Sequence, residues 1–136
     1  MRSRSRSKCS RGFTLVELLI VLTIVGLTAS LVAPLGAKQF DKARAQEEWL
    51  TLRRTVDGLA FRAYALGRET ELHAKGTSLE WMFADGKRGH LYFDRVFFEP
   101  EQTIAIDRNG YADRDRLQLR MAGAKRELPL NGWLTK

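Results

Sequence analysis

The stretch GFTLVELLIVLTIVGLTASLVAPLG, residues 12–36, decides how this chain is read. From Phe13 to Leu35 it offers 23 residues whose only charge is Glu17. At about 1.5 Å per helical residue, that length crosses a hydrocarbon core of roughly 30 Å. A bilayer-spanning helix over 13–35 is therefore expected. Glu17 is the anomaly in it. A lone carboxylate in a spanning helix costs roughly 2.5 kcal/mol or more at the centre and less near an end, so it calls for a partner. His, Lys and Arg are absent between Phe13 and Ala37, so the partner must come from another chain or from a terminus made by processing. A cut after Gly12 would place an α-ammonium on Phe13, one helical turn from Glu17. The competing reading sends the carboxylate to the headgroup layer or leaves it neutral.

Charge and cysteine content frame the rest of the chain. The 136 residues hold 23 basic and 16 acidic side chains, a net charge of +7. Five of the basic residues (Arg2, Arg4, Arg6, Lys8, Arg11) sit in the first twelve positions, which carry no acid, leaving 18 against 16 elsewhere. The excess is thus a basic leader, and the positive-inside bias keeps it cytoplasmic with the C-terminal portion on the other side of the membrane. The only cysteine, Cys9, precedes the apolar run. No intrachain disulfide can form, and a lipoprotein signal would need its Cys after the run. A secretory signal peptide would have a shorter apolar core followed by a small-residue cleavage site, and no A-x-A precedes Pro34.

These residues resemble the class III signal of type IV pilins and type II secretion pseudopilins: a basic leader ending in Gly12, then Phe13-Thr14-Leu15-Val16-Glu17, a long apolar helix and Pro34. The resemblance implies cleavage between Gly12 and Phe13 by a prepilin peptidase and N-methylation of Phe13. It makes Glu17 the fifth mature residue, set to neutralise the terminal amine of a neighbouring subunit, and makes Pro34 the site of a helix kink. Domain limits follow: leader 1–12, transmembrane and assembly helix 13–35, and a periplasmic pilin-like domain 36–136. The implied partners are the peptidase, other pseudopilins or pilins through the N-terminal helix, and the inner-membrane assembly platform. Gly26, Ala29, Ser30 and Ala33 add a small-residue stripe suited to close helix contact.

Beyond the apolar run, residues 37–66 have the period of an amphipathic helix, with Trp49, Leu52, Val56, Leu59, Ala63 and Leu66 on one stripe and Gly67 as C-cap. Trp49 and Phe61 are expected in the core. From about 70 to 130, short segments rich in β-formers alternate with turn residues: ETELHAKG, SLEWMFA, HLYFDRVFF, TIAID, RLQLRMA and KRELPL. They predict an antiparallel meander covering the second half of the helix, an α+β pilin-like fold. The absence of a C-terminal Cys pair, and a tail with Asn109-Gly110 ahead of a final hairpin, are similar to H-type minor pseudopilins. That subclass implies a minor pseudopilin of a type II secretion pseudopilus, supporting protein export across the outer membrane. The alternative is a minor type IV pilin serving adhesion, motility or DNA uptake.

Other constellations carry less. Asp107, Asn109, Asp113 and Asp115 crowd oxygen ligands, and major pseudopilins of the G type carry calcium in a C-terminal loop. Here Gly110 falls too early for an EF-hand loop, no Glu closes it, and Arg108, Arg114 and Arg116 would repel a cation. His73 and His90 are expected as ordinary strand residues. Arg114, Arg116, Arg120, Lys125 and Arg126 could meet phosphates, but acids are interleaved and no aromatic stripe accompanies them. No nucleophile elbow, P-loop or paired-carboxylate site is visible, so the chain is expected to be an enzyme's substrate and not an enzyme, without metal, cofactor or nucleic acid.

Overall fold

The computed structural model describes residues 12–131. The expectations for the basic leader and Cys9 fall on residues 1–11, outside the described residues. One helix, α1 (Leu15–Leu66), precedes six strands: β1 (Thr70–Gly76), β2 (Ser78–Phe83), β3 (Arg88–Tyr92), β4 (Val96–Ile106), β5 (Arg116–Met121) and β6 (Ala124–Pro129). The chain divides into two compact units at Phe40/Asp41. In the first, α1 continues through Pro34, and every described residue up to Phe40 is exposed. An apolar helix with no internal core leaves its surface for lipid or for other helices.

In the second unit, Leu52, Val56, Leu59, Ala60 and Ala63 bury one face of α1 against the sheet. Phe61 departs from its expected place. It lies about 200° round the helix from Leu59 and is 69% exposed, with Leu66 also outside. Trp49 is half-buried at the core margin, where the Arg126 guanidinium sits 5.9 Å from its ring centroid.

The six strands form one antiparallel sheet in the order β3-β2-β1-β4-β5-β6, and not a simple meander. Two three-stranded runs meet where β1 pairs with β4, so the chain must travel from the β3 edge to the middle. It does so at Phe93–Arg95, inside a segment that composition alone reads as a single strand. Phe93 turns into the core and meets Phe98 edge-on at 5.9 Å. The freed backbone N–H groups of Asp94 and Arg95 donate to the Glu48 carboxylate of α1 at 3.2 and 2.9 Å. Arg95 also donates to Asp41 at 2.7 Å, and that hydrogen bond raises the guanidinium's pKa above its ordinary value against a smaller opposing effect of burial.

A second difference is β4 itself, which continues through Glu99-Pro100-Glu101-Gln102, a stretch with the composition of a separator, with a shift of register against β1 at that place. Its pairing with β5 is short, Val96 to Met121 and Phe97 to Arg120. Further along, the buried Gln102 side chain replaces the ladder: its Nε2 donates to the carbonyl of Gln118 at 2.7 Å and its Oε1 accepts from the Gln118 N–H at 2.9 Å. At the β3 edge, Gly89 is required by close approach, since a Cβ there would overlap the Trp81 indole.

Gln102→Leu should leave both backbone groups of Gln118 unpaired in a part-buried setting and cost about 2 kcal/mol. The check is a thermal melt of the full chain in detergent, with Glu101→Leu, an exposed neighbour, as the control that should hardly move. Gly89→Val should likewise lower Tm and shift Trp81 fluorescence, because the indole must leave its place.

Candidate functional site

The charged end of the apolar helix is built by its first turn. Thr14 is the N-cap: its Oγ1 accepts from the Glu17 N–H at 3.2 Å while its carbonyl accepts from the Leu18 N–H at 3.1 Å. Thr14-Leu15-Val16-Glu17 is the T-x-x-E pattern of a capping box, a helix-start signal that spacing and charge alone pass over. The cap fixes where the helix begins, and so places Glu17 in the first turn, where the positive end of the helix dipole favours a carboxylate.

The remaining polar groups of the segment are satisfied within the helix. Thr23 donates to the Leu19 carbonyl at 2.7 Å, Thr28 to those of Ile24 and Val25 at 3.0 and 2.9 Å, and Ser30 to that of Leu27 at 2.7 Å. Such back-bonding lets a hydroxyl lie in apolar surroundings at little cost. Among the described residues, the Glu17 carboxylate alone in this segment has no partner.

Gly12 and Phe13 precede the helix outside regular secondary structure, Phe13 being 84% exposed. A Cβ on Gly12 would meet nothing within 4 Å, so the fold places no demand for glycine at that position. Gly26 and Gly36 are equally open. Pro34 lies inside α1.

Other candidates take structural roles. Asp107 Oδ1 accepts from the N–H groups of Asn109 and Tyr111, both at 2.9 Å, and Asp113 Oδ1 accepts from that of Ala105 at 3.0 Å. These carboxylates shape the Asp107–Asp113 loop. His73 has a carboxylate neighbour that the sequence did not reveal: its Nε2 lies 3.3 Å from Glu71, and its Nδ1 lies 3.0 Å from Thr103 Oγ1. His90 packs against Tyr92 at 5.3 Å. Of the basic cluster, Arg116 pairs with Glu127 at 2.6 Å and Arg120 with Glu99 at 3.4 Å. Arg114 lies ahead of β5, outside the strand that carries Arg116 and Arg120.

The fold is a membrane-anchor type of α+β subunit: one apolar helix able to span a bilayer, continued into a helix packed on an antiparallel sheet. The family model of the prokaryotic N-terminal methylation motif matches residues 7–33. That match covers about a fifth of the chain and is a likeness to the N-terminal segment of type IV pilins and pseudopilins. No curated protein and no solved structure matched the chain.

Thr14→Val removes the cap oxygen at constant shape and should cost about 1 kcal/mol at the helix start. Amide exchange at Glu17 and Leu18 should then quicken about fivefold in micelles, with the amides of β1 unchanged.

Proposed function

We propose that this protein is a minor pseudopilin of a type II secretion system, matured by cleavage between Gly12 and Phe13 with methylation of the new terminal amine. It then enters a pseudopilus through its N-terminal helix, with the sheet domain in the periplasm and the anchor in the inner membrane. The observation that carries this reading is the methylation motif over 7–33, with Gly12, Phe13 and Glu17 in register. The geometry supports it in two ways. Gly12 lies exposed ahead of the helix, outside regular secondary structure, and the fold gives no other reason for its glycine. The unpartnered Glu17 stands in the first turn, near the position of a Phe13 ammonium.

In this scheme the carboxylate is costly in the lone subunit and paired in the assembled one. Removing one member of a buried charge pair leaves the other uncompensated, which is more damaging than replacing both. Register between neighbouring helices is thereby tied to whether the pair can form. Pro34 serves as the helix kink, and the small residues Gly26, Ala29, Ser30 and Ala33 allow close helix approach.

Co-expression with a prepilin peptidase should yield a chain that begins at methyl-Phe13 in intact-mass spectrometry, and Gly12→Val should accumulate only as precursor. An unchanged mass for the native chain would dismiss the processing scheme. Glu17→Ala should be cleaved normally but recovered in sheared pseudopili at about one-tenth of the native amount or less.

A further inference from the structure

The six-stranded sheet ends in two strands whose outer sides have no neighbour among the described residues, β3 at one edge and β6 at the other. Unpaired backbone groups along such an edge are a template for another strand. Which groups are unpaired follows from the ladders inside the sheet. The Phe83 N–H donates to the Lys87 carbonyl at 2.8 Å and the Phe93 N–H to the Thr77 carbonyl at 2.9 Å. With the register between β2 and β3, the backbones of Lys87, Gly89, Leu91 and Phe93 therefore face β2. Those of Arg88, His90 and Tyr92 point to the free side, because the groups of an antiparallel strand alternate. At the other edge the Leu130 N–H donates to the Asp115 carbonyl at 2.9 Å, and the register with β5 leaves Lys125, Glu127 and Pro129 pointing away.

The two edges match each other in direction, face and charge. Every neighbouring pair in the sheet is antiparallel, so β3 and β6 run in opposite directions. A second copy displaced sideways, its orientation kept apart from the twist of the sheet, then brings its β6 antiparallel to β3. Copies anchored in one membrane share that orientation. Leu79 and Leu91 face the core, as do Leu117 and Leu128, which puts the residues with outward groups on the opposite face of the sheet at both edges. Setting His90 opposite Glu127 places Tyr92, 69% exposed, opposite Lys125, and Arg88 opposite Pro129. Imidazole meets carboxylate and ring meets ammonium, with Arg116 still 2.6 Å from Glu127 on its other side. Sliding by two residues sets His90 against Lys125 in one direction and against Pro129 in the other. In the first register every outward N–H and C=O finds a partner except the Arg88 carbonyl, because Pro129 has no N–H and ends the ladder there.

We propose that copies of this chain join side by side, β3 of one pairing with β6 of the next in the register that sets His90 opposite Glu127. The contact is heterologous: each joined pair keeps a free β6 on one copy and a free β3 on the other, so the series stays open unless its rotation closes a ring. It is a main-chain contact between sheet domains, separate from any contact of the apolar helices, and it does not rest on the pseudopilin reading.

The test uses full-length chains carrying Cys9→Ser, which removes the one native thiol. A His90→Cys chain and a nitrogen-15 Glu127→Cys chain are reconstituted together in phosphatidylcholine vesicles and joined with a short bismaleimide. Dimers of one light and one heavy chain should form in the mixture, and neither variant should dimerise alone. With Arg53→Cys, on the exposed side of α1, in place of Glu127→Cys, the yield should fall at least about tenfold, since only opposed strand residues are held within reach. A proline block separates the contact from the fold. His90→Pro removes an N–H that faces the free edge and no bond to β2. Added to a Tyr92→Cys chain mixed with a Lys125→Cys chain, it should cut the cross-link at least about tenfold with Tm in detergent micelles little changed. Glu127→Pro in the Lys125→Cys chain is the matching block on β6 and carries the test if His90→Pro lowers Tm. Cross-linking of His90→Cys chains to themselves would overturn the proposal, by making the contact a two-fold pairing of β3 with β3. So would a light–heavy yield no higher than in the Arg53→Cys control, or full yield in both proline variants.

Discussion

A carboxylate placed in an apolar helix must be answered by something, and in this protein the answer is not within the described chain. Every hydroxyl between Thr23 and Ser30 is bonded to its own backbone, so the helix is electrostatically closed except at Glu17. The Thr14 cap makes this position fixed and not approximate, because it defines the first turn in which Glu17 lies. Lipid removes the water that would otherwise compensate a charge, and the value of a correctly placed ammonium rises accordingly. Under the proposed pairing, the apolar segment carries the sheet domain into the filament, and that one contact selects the segment.

The sheet domain solves a different problem, that of bringing two hairpin runs into one sheet beside a helix. Two polar side chains accomplish this where the regular ladder fails. Glu48 takes the backbone groups released as the chain leaves β3, and Gln102 stands in for the missing β4–β5 pairing. Each is a polar group whose partners are backbone atoms, so each satisfies an obligation of the fold that apolar packing could not. The core itself, Leu72, Ile104, Leu117 and Leu119 against Leu52, Val56 and Leu59, needs only the alternation and the helical stripe.

That contrast explains what can be read from the sequence. The spanning helix, the amphipathic continuation, six segments of β character and the α+β class follow from periodicity, which burial imposes directly. The order of strands does not, because pairing β1 with β4 depends on a long-range choice that alternation leaves open. The break at Phe93–Arg95 and the continuity through Pro100 are hidden for the same reason: Glu48 and Gln102 act on residues far away in the chain. Phe61 reads as inward on hydrophobicity, although its angle on the helix points outward. Near the membrane, Gly12, Phe13 and Glu17 are visible from spacing, whereas the Thr14 cap is written in the letters but shows its role only in the geometry of the first turn.

The most direct measurement of the Glu17 pairing is zero-length carbodiimide coupling in assembled pseudopili made from a mixture of light and nitrogen-15 chains, mapped by mass spectrometry. Pairing between subunits predicts an amide joining Glu17 of one chain to the terminal amine of another, with mixed isotopic composition and loss of the product in Glu17→Gln. A product joining Glu17 only to the terminus of its own chain, or the absence of any Glu17 product in filaments that assemble normally, would contradict it.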